Sequence, residues 1–214
     1  MKSFLIIGMG SFGHHLCRSL AKQRCEIMIV DEKQENLEDM LRYVTSAKIG
    51  DCTNPDVMQS FDVASFDACF VSVGNSFQNS LQITNLLKEQ GAKKVYSKAD
   101  EDIQAKFLLR NGADEVIYPE KEGAERIAIR ASSDNIFDCI ELSDEYYIME
   151  IQPRQEWLGK TIFELDFRKK YHLNIMATKN KEKLFPMPDL EYKFCLEDHL
   201  MVMGQIEDIR RVTK

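Results

Sequence analysis

The chain has 214 residues, 44% hydrophobic and 29% charged, a balance that allows a real core and leaves room for one large domain or two modest ones. Its longest apolar runs, FLIIGMG near the start and ACFVSVG near residue 70, are too short to span a bilayer, and no secretory signal pattern opens the chain, so a cytoplasmic location is expected. A net charge of −7 argues against nucleic acid, which requires a concentrated basic surface.

In chain order, SFLII at 3–7 predicts a short, fully apolar strand, followed by the turn GMGSFG at 8–13. Apolar residues at Phe12, Leu16 and Leu20 then fit one face of a helix. EIMIV at 26–30 predicts a second strand ending at Asp31, KQENLEDMLRYV a charged helical stretch, and SAKIGD a third strand and turn. Asn54-Pro55 has the form of a helix start, with Asn as cap and Pro at the first helical position. DACFVSV at 67–73 predicts a fourth strand, and Asn75 to Gln90 a long helix ending at Gly91. KKVYS and DEVIYP read as fifth and sixth strands around the helix EDIQAKFLLRNG. Continuously apolar strands alternating with helices predict a doubly wound, Rossmann-like parallel sheet covered on both faces.

After Pro119 the pattern changes. An amphipathic helix over 121–133 has no predicted strand behind it, and beyond it EYYIMEI, NIMAT and HLMVMG read as strands of a small α+β unit. TIFELDFRKKY reads as a helix opened by a capping box, Thr161 with Glu164. The expected domains are therefore 1–134 and 135–214, the second viable if it pairs with a copy of itself.

The glycine turn is informative because of its context: a strand before it, a helix after it, and an acid closing the next strand. Gly8 permits the tight turn, Gly10 lets the backbone approach a phosphate, and Gly13 allows close helix–strand packing. The helix start offers Ser11 and Phe12 N–H groups to that phosphate. Asp31 is placed to accept from ribose hydroxyls and would repel a 2′-phosphate, which disfavours NADP. Asp51, Cys52 and Asn75 follow the third and fourth strands, where ligands bind in such folds, although Asp and Asn are also ordinary helix caps. Hydride transfer also needs a proton donor or acceptor facing the cofactor. The remaining chain offers only His172 and His199 in polar stretches, so a small NAD-dependent oxidoreductase is the alternative reading, and an interaction scaffold with a vestigial pocket a third. The six cysteines form no C-x-x-C pair and share no metal-ligand spacing with the four histidines, which predicts reduced thiols and no structural zinc.

The segments IIGMGSFGHHL, IGDCT, SVGNSFQNSLQ, NGADEVIYPEKEGAERIA, LSDEYYIMEI and LGKTIFELDFRKKYHLNIMA resemble the cytosolic gating subunits of Ktr/Trk potassium-uptake systems over essentially the whole chain. Those subunits combine an RCK N-terminal domain (TrkA-N) with an RCK C-terminal domain (TrkA-C). The resemblance implies a regulator and not an enzyme. It implies a homodimer assembling into an octameric ring, beneath a KtrB/TrkH-like integral-membrane potassium channel subunit on the inner face of the membrane. ATP or ADP, or NAD(H), would occupy the N-domain. By position the resemblance adds Lys98 as a basic group near the phosphates and Glu120 as an acid near the terminal phosphate, able to help hold a divalent cation. Ser11 departs from it, since many relatives carry Arg there, and the missing guanidinium leaves the preferred nucleotide open. For cyclic di-AMP at a C-domain dimer interface, the matching residues are Ile162, Phe163, Arg168 and Asn174.

Overall fold

Leu5, Ile6 and Ile7 are all but completely buried, as a strand covered on both faces requires. Leu5 and Ile7 join one core, with Val30, Cys69, Val71 and Leu87. Ile6 joins another, with Cys17, Ile27, Ile29 and Met40. The computed structural model describes all residues except Asn75, Glu182 and Lys214. The expected helix start at Asn75 thus lies outside the described residues. The chain divides into two compact units, Met1–Lys121 and Glu122–Lys214.

In the first unit β1 (Ser3–Ile7), β2 (Glu26–Asp31), β3 (Ser46–Ile49), β4 (Ala68–Val71), β5 (Val95–Lys98) and β6 (Glu115–Ile117) pair in parallel. The order is β3-β2-β1-β4-β5-β6, a Rossmann-like sheet. Its strand order reverses between β1 and β4, so the crevice opens at their carboxyl ends, beside the glycine turn. Helices α1 (Ser11–Ala21), α2 (Pro55–Gln59), α3 (Phe77–Glu89) and α4 (Asp102–Arg110) accompany the strands, and α5 (Pro119–Ala131) follows β6 in the chain. Asn54 caps α2, its Oδ1 accepting from Asp56 N–H at 2.9 Å, and Ser76 caps α3.

The stretch after β2 is not the expected α-helix. It forms 3-10 turns over Gln34–Asn36 and Glu38–Tyr43. Leu37 and Met40 are both buried against the sheet. Residues three apart eclipse at three per turn, so tight turns place both on one side.

The second unit holds β7 (Ile136–Glu141), β8 (Tyr146–Ile151), β9 (Asn174–Asn180), β10 (Lys183–Pro186) and β11 (Asp198–Gln205), antiparallel in the order β10-β9-β11-β8-β7. One face buries Met149, Ile151, Leu200 and Val202 against Trp157, Phe167, Leu173 and Ile209. Strands β7 and β10 and the last helix, α8 (Ile206–Thr213), have no counterpart in the sequence reading. The capping box forms: Glu164 N–H donates to Thr161 Oγ1 at 3.0 Å, and Thr161 N–H to Glu164 Oε2 at 2.8 Å. The expected single helix nonetheless breaks at Asp166, whose φ of 42° is left-handed, into α6 (Ile162–Leu165) and α7 (Phe167–Tyr171). Helix α5, grouped with the first domain in the sequence reading, begins at the end of the first unit and runs mostly within the second. There Arg126 makes a bidentate pair with Asp138 of β7.

Candidate functional site

The three glycines of the turn differ in what surrounds them. Gly8 has a φ of +91°, and a Cβ added to it would lie 2.9 Å from the carbonyl carbon of Ser72. A Cβ on Gly13 would lie 2.3 Å from Gly8 O, so α1 packs directly on the end of β1. A Cβ on Gly10 would meet nothing within 4 Å. Gly8 and Gly13 are therefore required by packing, whereas Gly10 keeps a space open. Gly10 is also the N-cap of α1 and has no side chain to cap it, and the first turn carries no acidic residue. The opening N–H groups of α1 thus face the crevice with their partial positive charge uncompensated.

A cleft of about 190 Å³ borders this turn and reaches Asp31, Gly50, Cys52, Ser72 and Gly74. Asp31 closes β2 and accepts three hydrogen bonds from the described residues. Met9 N–H donates to Oδ2 at 2.7 Å, while Lys33 N–H at 2.9 Å and Asn36 Nδ2 at 3.0 Å donate to Oδ1. A carboxylate has about four acceptor sites, so one remains for a ribose hydroxyl. The Met9 bond ties the acid directly to the glycine turn. His14 Nε2 lies 2.8 Å from Asn36 O, linking the first turns of α1 to the same support.

Asp51, between Gly50 and Cys52, is exposed. Its Oδ1 accepts from Thr53 N–H at 2.8 Å and Thr53 Oγ1 at 2.7 Å, and it is Gly50 and Cys52 that border the cleft. Cys52 is buried, and burial, reinforced by the carboxylates of Asp51, Glu32 and Asp31, pushes its thiol up to about 12. It lines the cleft as a neutral apolar group. Ser11 is exposed at the first position of α1 and Phe12 half-buried beside it. Asn75 lies outside the described residues.

Lys98 and Glu120 come together. The Lys98 ammonium, with its side chain 13% exposed, donates to Glu120 Oε1 at 2.7 Å and lies 3.4 Å from Asp100 Oδ1. Burial pulls the ammonium down, but Glu120 and Asp100 outweigh it and hold it above the ordinary lysine value. The hydrogen bond from Lys98 holds the Glu120 carboxyl below its usual range. A Cβ on Gly74 would be 3.5 Å from Lys98 Nζ, so the cation sits at the rim of the cleft, over the loop after β4. Among the described residues no group of three His, Cys, Asp or Glu side chains is arranged to hold a metal ion. Magnesium bound with phosphates often takes only one or two protein carboxylates, and Glu120 would be the one to offer here.

In the second unit Ile162, Phe163, Arg168 and Asn174 line one concavity of about 560 Å³ with Leu173, Pro188 and Leu190. Arg168 Nε donates to Asn174 Oδ1 at 2.7 Å. The Phe163 ring is 67% exposed, with Leu190 beside it 57% exposed.

The sequence model of the TrkA-N domain matches residues 4–119, and that of the TrkA-C domain matches residues 146–214. The chain belongs to the TrkA-N/TrkA-C family. This TrkA-family chain is 34% identical over 213 residues to Ktr system potassium uptake protein C of Bacillus subtilis (strain 168), covering 100% of its own length and 96% of the relative's. It is 33% identical over 210 residues to Ktr system potassium uptake protein A of the same organism, covering 98% and 95%. Among solved structures, the GsuK RCK domain superposes with a TM-score of 0.68 at 17% identity, over 99% of this chain and 47% of that one, which shows a shared fold.

Two supports of the TrkA-family site escape sequence reasoning. Asn36 and Lys33 fix the Asp31 carboxylate, yet their only sequence signal is closeness to Asp31. The segment reads as an α-helix, in which an inward-turned Asn36 is not anticipated. The resemblance places Lys98 and Glu120 both near the phosphates but does not give the ion pair between them, which joins residues 22 apart.

Proposed function

We propose that this chain is the regulatory subunit of a Ktr-type potassium-uptake system, binding an adenine nucleotide in its first unit to control ion flux through an integral-membrane channel partner. The observation that carries the reading is the end-to-end similarity to the two B. subtilis Ktr proteins, both of which it matches at more than 30% identity over nearly their full lengths. The geometry of the glycine turn supports it: an uncapped helix start and a vacant space over Gly10 suit a phosphate, and Asp31 retains an acceptor for ribose.

In this reading ATP or ADP lies over Gly8, Gly10 and Gly13, with Ser11 and Phe12 N–H groups on its phosphates. Asp31 takes the ribose, and Gly50 to Cys52 form the adenine side. Lys98 meets the phosphates, and Glu120 helps hold a divalent cation. NAD(H) competes for the same cleft, because Ser11 offers no guanidinium to favour a triphosphate. Cyclic di-AMP is the ligand proposed for the concavity at Ile162, Phe163, Arg168 and Asn174. Each ligand acts by binding one conformation of a homodimer-based octameric ring better than another, which is the only way a ligand moves such an equilibrium. The site is a cytoplasmic sensor and not a redox centre; among the described residues, no helix is long and apolar enough to cross a membrane.

Direct titration with ATP, ADP, NADH and cyclic di-AMP, followed by potassium uptake in cells carrying the chain and its channel partner, tests the proposal. Binding below millimolar concentration with altered uptake is the expected result. Absence of binding by all four ligands would defeat it, and substrate-dependent NADH oxidation would favour the oxidoreductase instead.

A further inference from the structure

Ser72 follows β4 at the floor of the cleft and is 6% exposed. Its N–H donates to Ile7 O at 2.8 Å, and its peptide lies against Gly8, so the backbone there is fixed. Its Oγ, by contrast, has no hydrogen-bond partner among the described residues. A buried hydroxyl left unpaired costs stability, and native structures contain few. Ser80 shares this condition among the described residues, but only Ser72 lines the cleft.

The position of the hydroxyl indicates what it lacks. Ser72 Oγ lies 3.3 Å from the point that a Cβ on Gly13 would occupy, within the first turn of α1. That turn has no side-chain cap, and both it and Ser72 border the same cleft, the turn through Gly10. Donors without acceptors call for an anion with several oxygens. We propose that Ser72 Oγ donates a hydrogen bond to a diphosphate oxygen of the bound nucleotide, making Ser72 a binding residue for the phosphates in addition to the glycine turn.

The inference rests on the nucleotide reading above, and one experiment separates the two. ADP is titrated calorimetrically into the full-length wild type, Ser72→Ala and Ser72→Cys, and the ligand-free thermal midpoint of each is measured. A hydroxyl donating to a charged phosphate predicts about tenfold weaker ADP binding by Ser72→Ala, with a ligand-free midpoint that does not fall. Ser72→Cys keeps the bulk but offers only a weak S–H donor, and should weaken binding in the same direction. Wild-type affinity in both variants would overturn the assignment of Ser72 and leave the nucleotide reading intact. A lowered ligand-free midpoint in both would show a structural hydroxyl and also overturn it. A wild type that binds none of ADP, ATP or NADH below millimolar concentration would overturn both.

Discussion

Replacing Gly10 and Gly13 separately by Ala tests the division of labour within the turn. In Gly13→Ala the new Cβ lies 2.3 Å from Gly8 O, against a floor of 3.0 Å for real Cβ contacts, a shortfall of about 0.7 Å. The opposing atom is backbone carbonyl at the end of β1, so α1 must slide outward, which opens the interface holding Cys17 against Ile6 and Ile29. Overpacking of this kind costs about 1–3 kcal/mol, or a fall of roughly 4–10 °C in the midpoint of a unit this size. In Gly10→Ala the Cβ meets nothing within 4 Å, and the N-cap dihedrals of −73° and −169° suit any L residue. Stability should therefore stay within about 0.5 kcal/mol of wild type, while the methyl group occupies the space over which a phosphate must pass. Thermal denaturation of both variants, paired with ADP titration, reads the two effects apart. Gly13→Ala is expected to lose stability and binding together, and Gly10→Ala binding alone. Undiminished nucleotide affinity in Gly10→Ala would refute the idea that the backbone approaches a phosphate there.

Three further expectations follow from other parts of the molecule. Asp114 accepts from Val95 N–H at 2.7 Å and from Lys88 at 3.0 Å; burial opposes these bonds but they prevail, and the carboxyl is held below its ordinary value. Such a group stabilises the fold above its unfolded pKa of about 4, and the contribution is lost as pH falls through the lower folded value. Asp114→Asn should thus cost about 1 kcal/mol at pH 7, discounted for its partial exposure. The wild-type advantage should narrow only below about pH 4, and equal midpoints at pH 7 would count against it. Arg168→Ala should weaken cyclic di-AMP binding several-fold and leave ATP affinity unchanged, as read by titration; equal loss of both would point to general unfolding. Alkylation of the native protein followed by mass spectrometry should mark the exposed Cys195 well before the buried Cys17, Cys52 and Cys69, with Cys52 protected by a thiol pushed up to about 12. Early labelling at Cys52 would mean that the floor of the cleft is open.

Much of the first unit is legible along the chain, because its signals are local. A buried parallel strand needs an unbroken apolar run, and SFLII, EIMIV and ACFV supply one each; Asn54-Pro55 caps a helix whatever lies beyond it, as Thr161 with Glu164 does in the second unit. The glycine spacing predicts the tight turn before α1 for the same reason, since the turn and the helix it starts are adjacent in sequence. The strand KLFP, by contrast, is exposed throughout and exists only because β9 pairs with it, and the apolar residues of IFDCIE show no run long enough to declare β7. The break at Asp166 goes against a helical pattern and is stabilised by packing of Phe167 into the aromatic cluster around Trp157.

The chain by itself determines that a glycine turn opening a helix follows the first strand, and its family similarity runs from that turn to the last strand. Tertiary structure alone decides how the site is held. Asp31 is fixed by Asn36 and Lys33 across a segment that folds as tight turns, Lys98 meets Glu120 only when β5 and the start of α5 converge, and Asp51 Oδ1 accepts from Thr53. Residue type and spacing encode the donors and acceptors a site requires. Which of them remain unpaired depends on what folding brings against each, and for Gly10 and Ser72 that is the open space and the missing partner beneath the glycine turn.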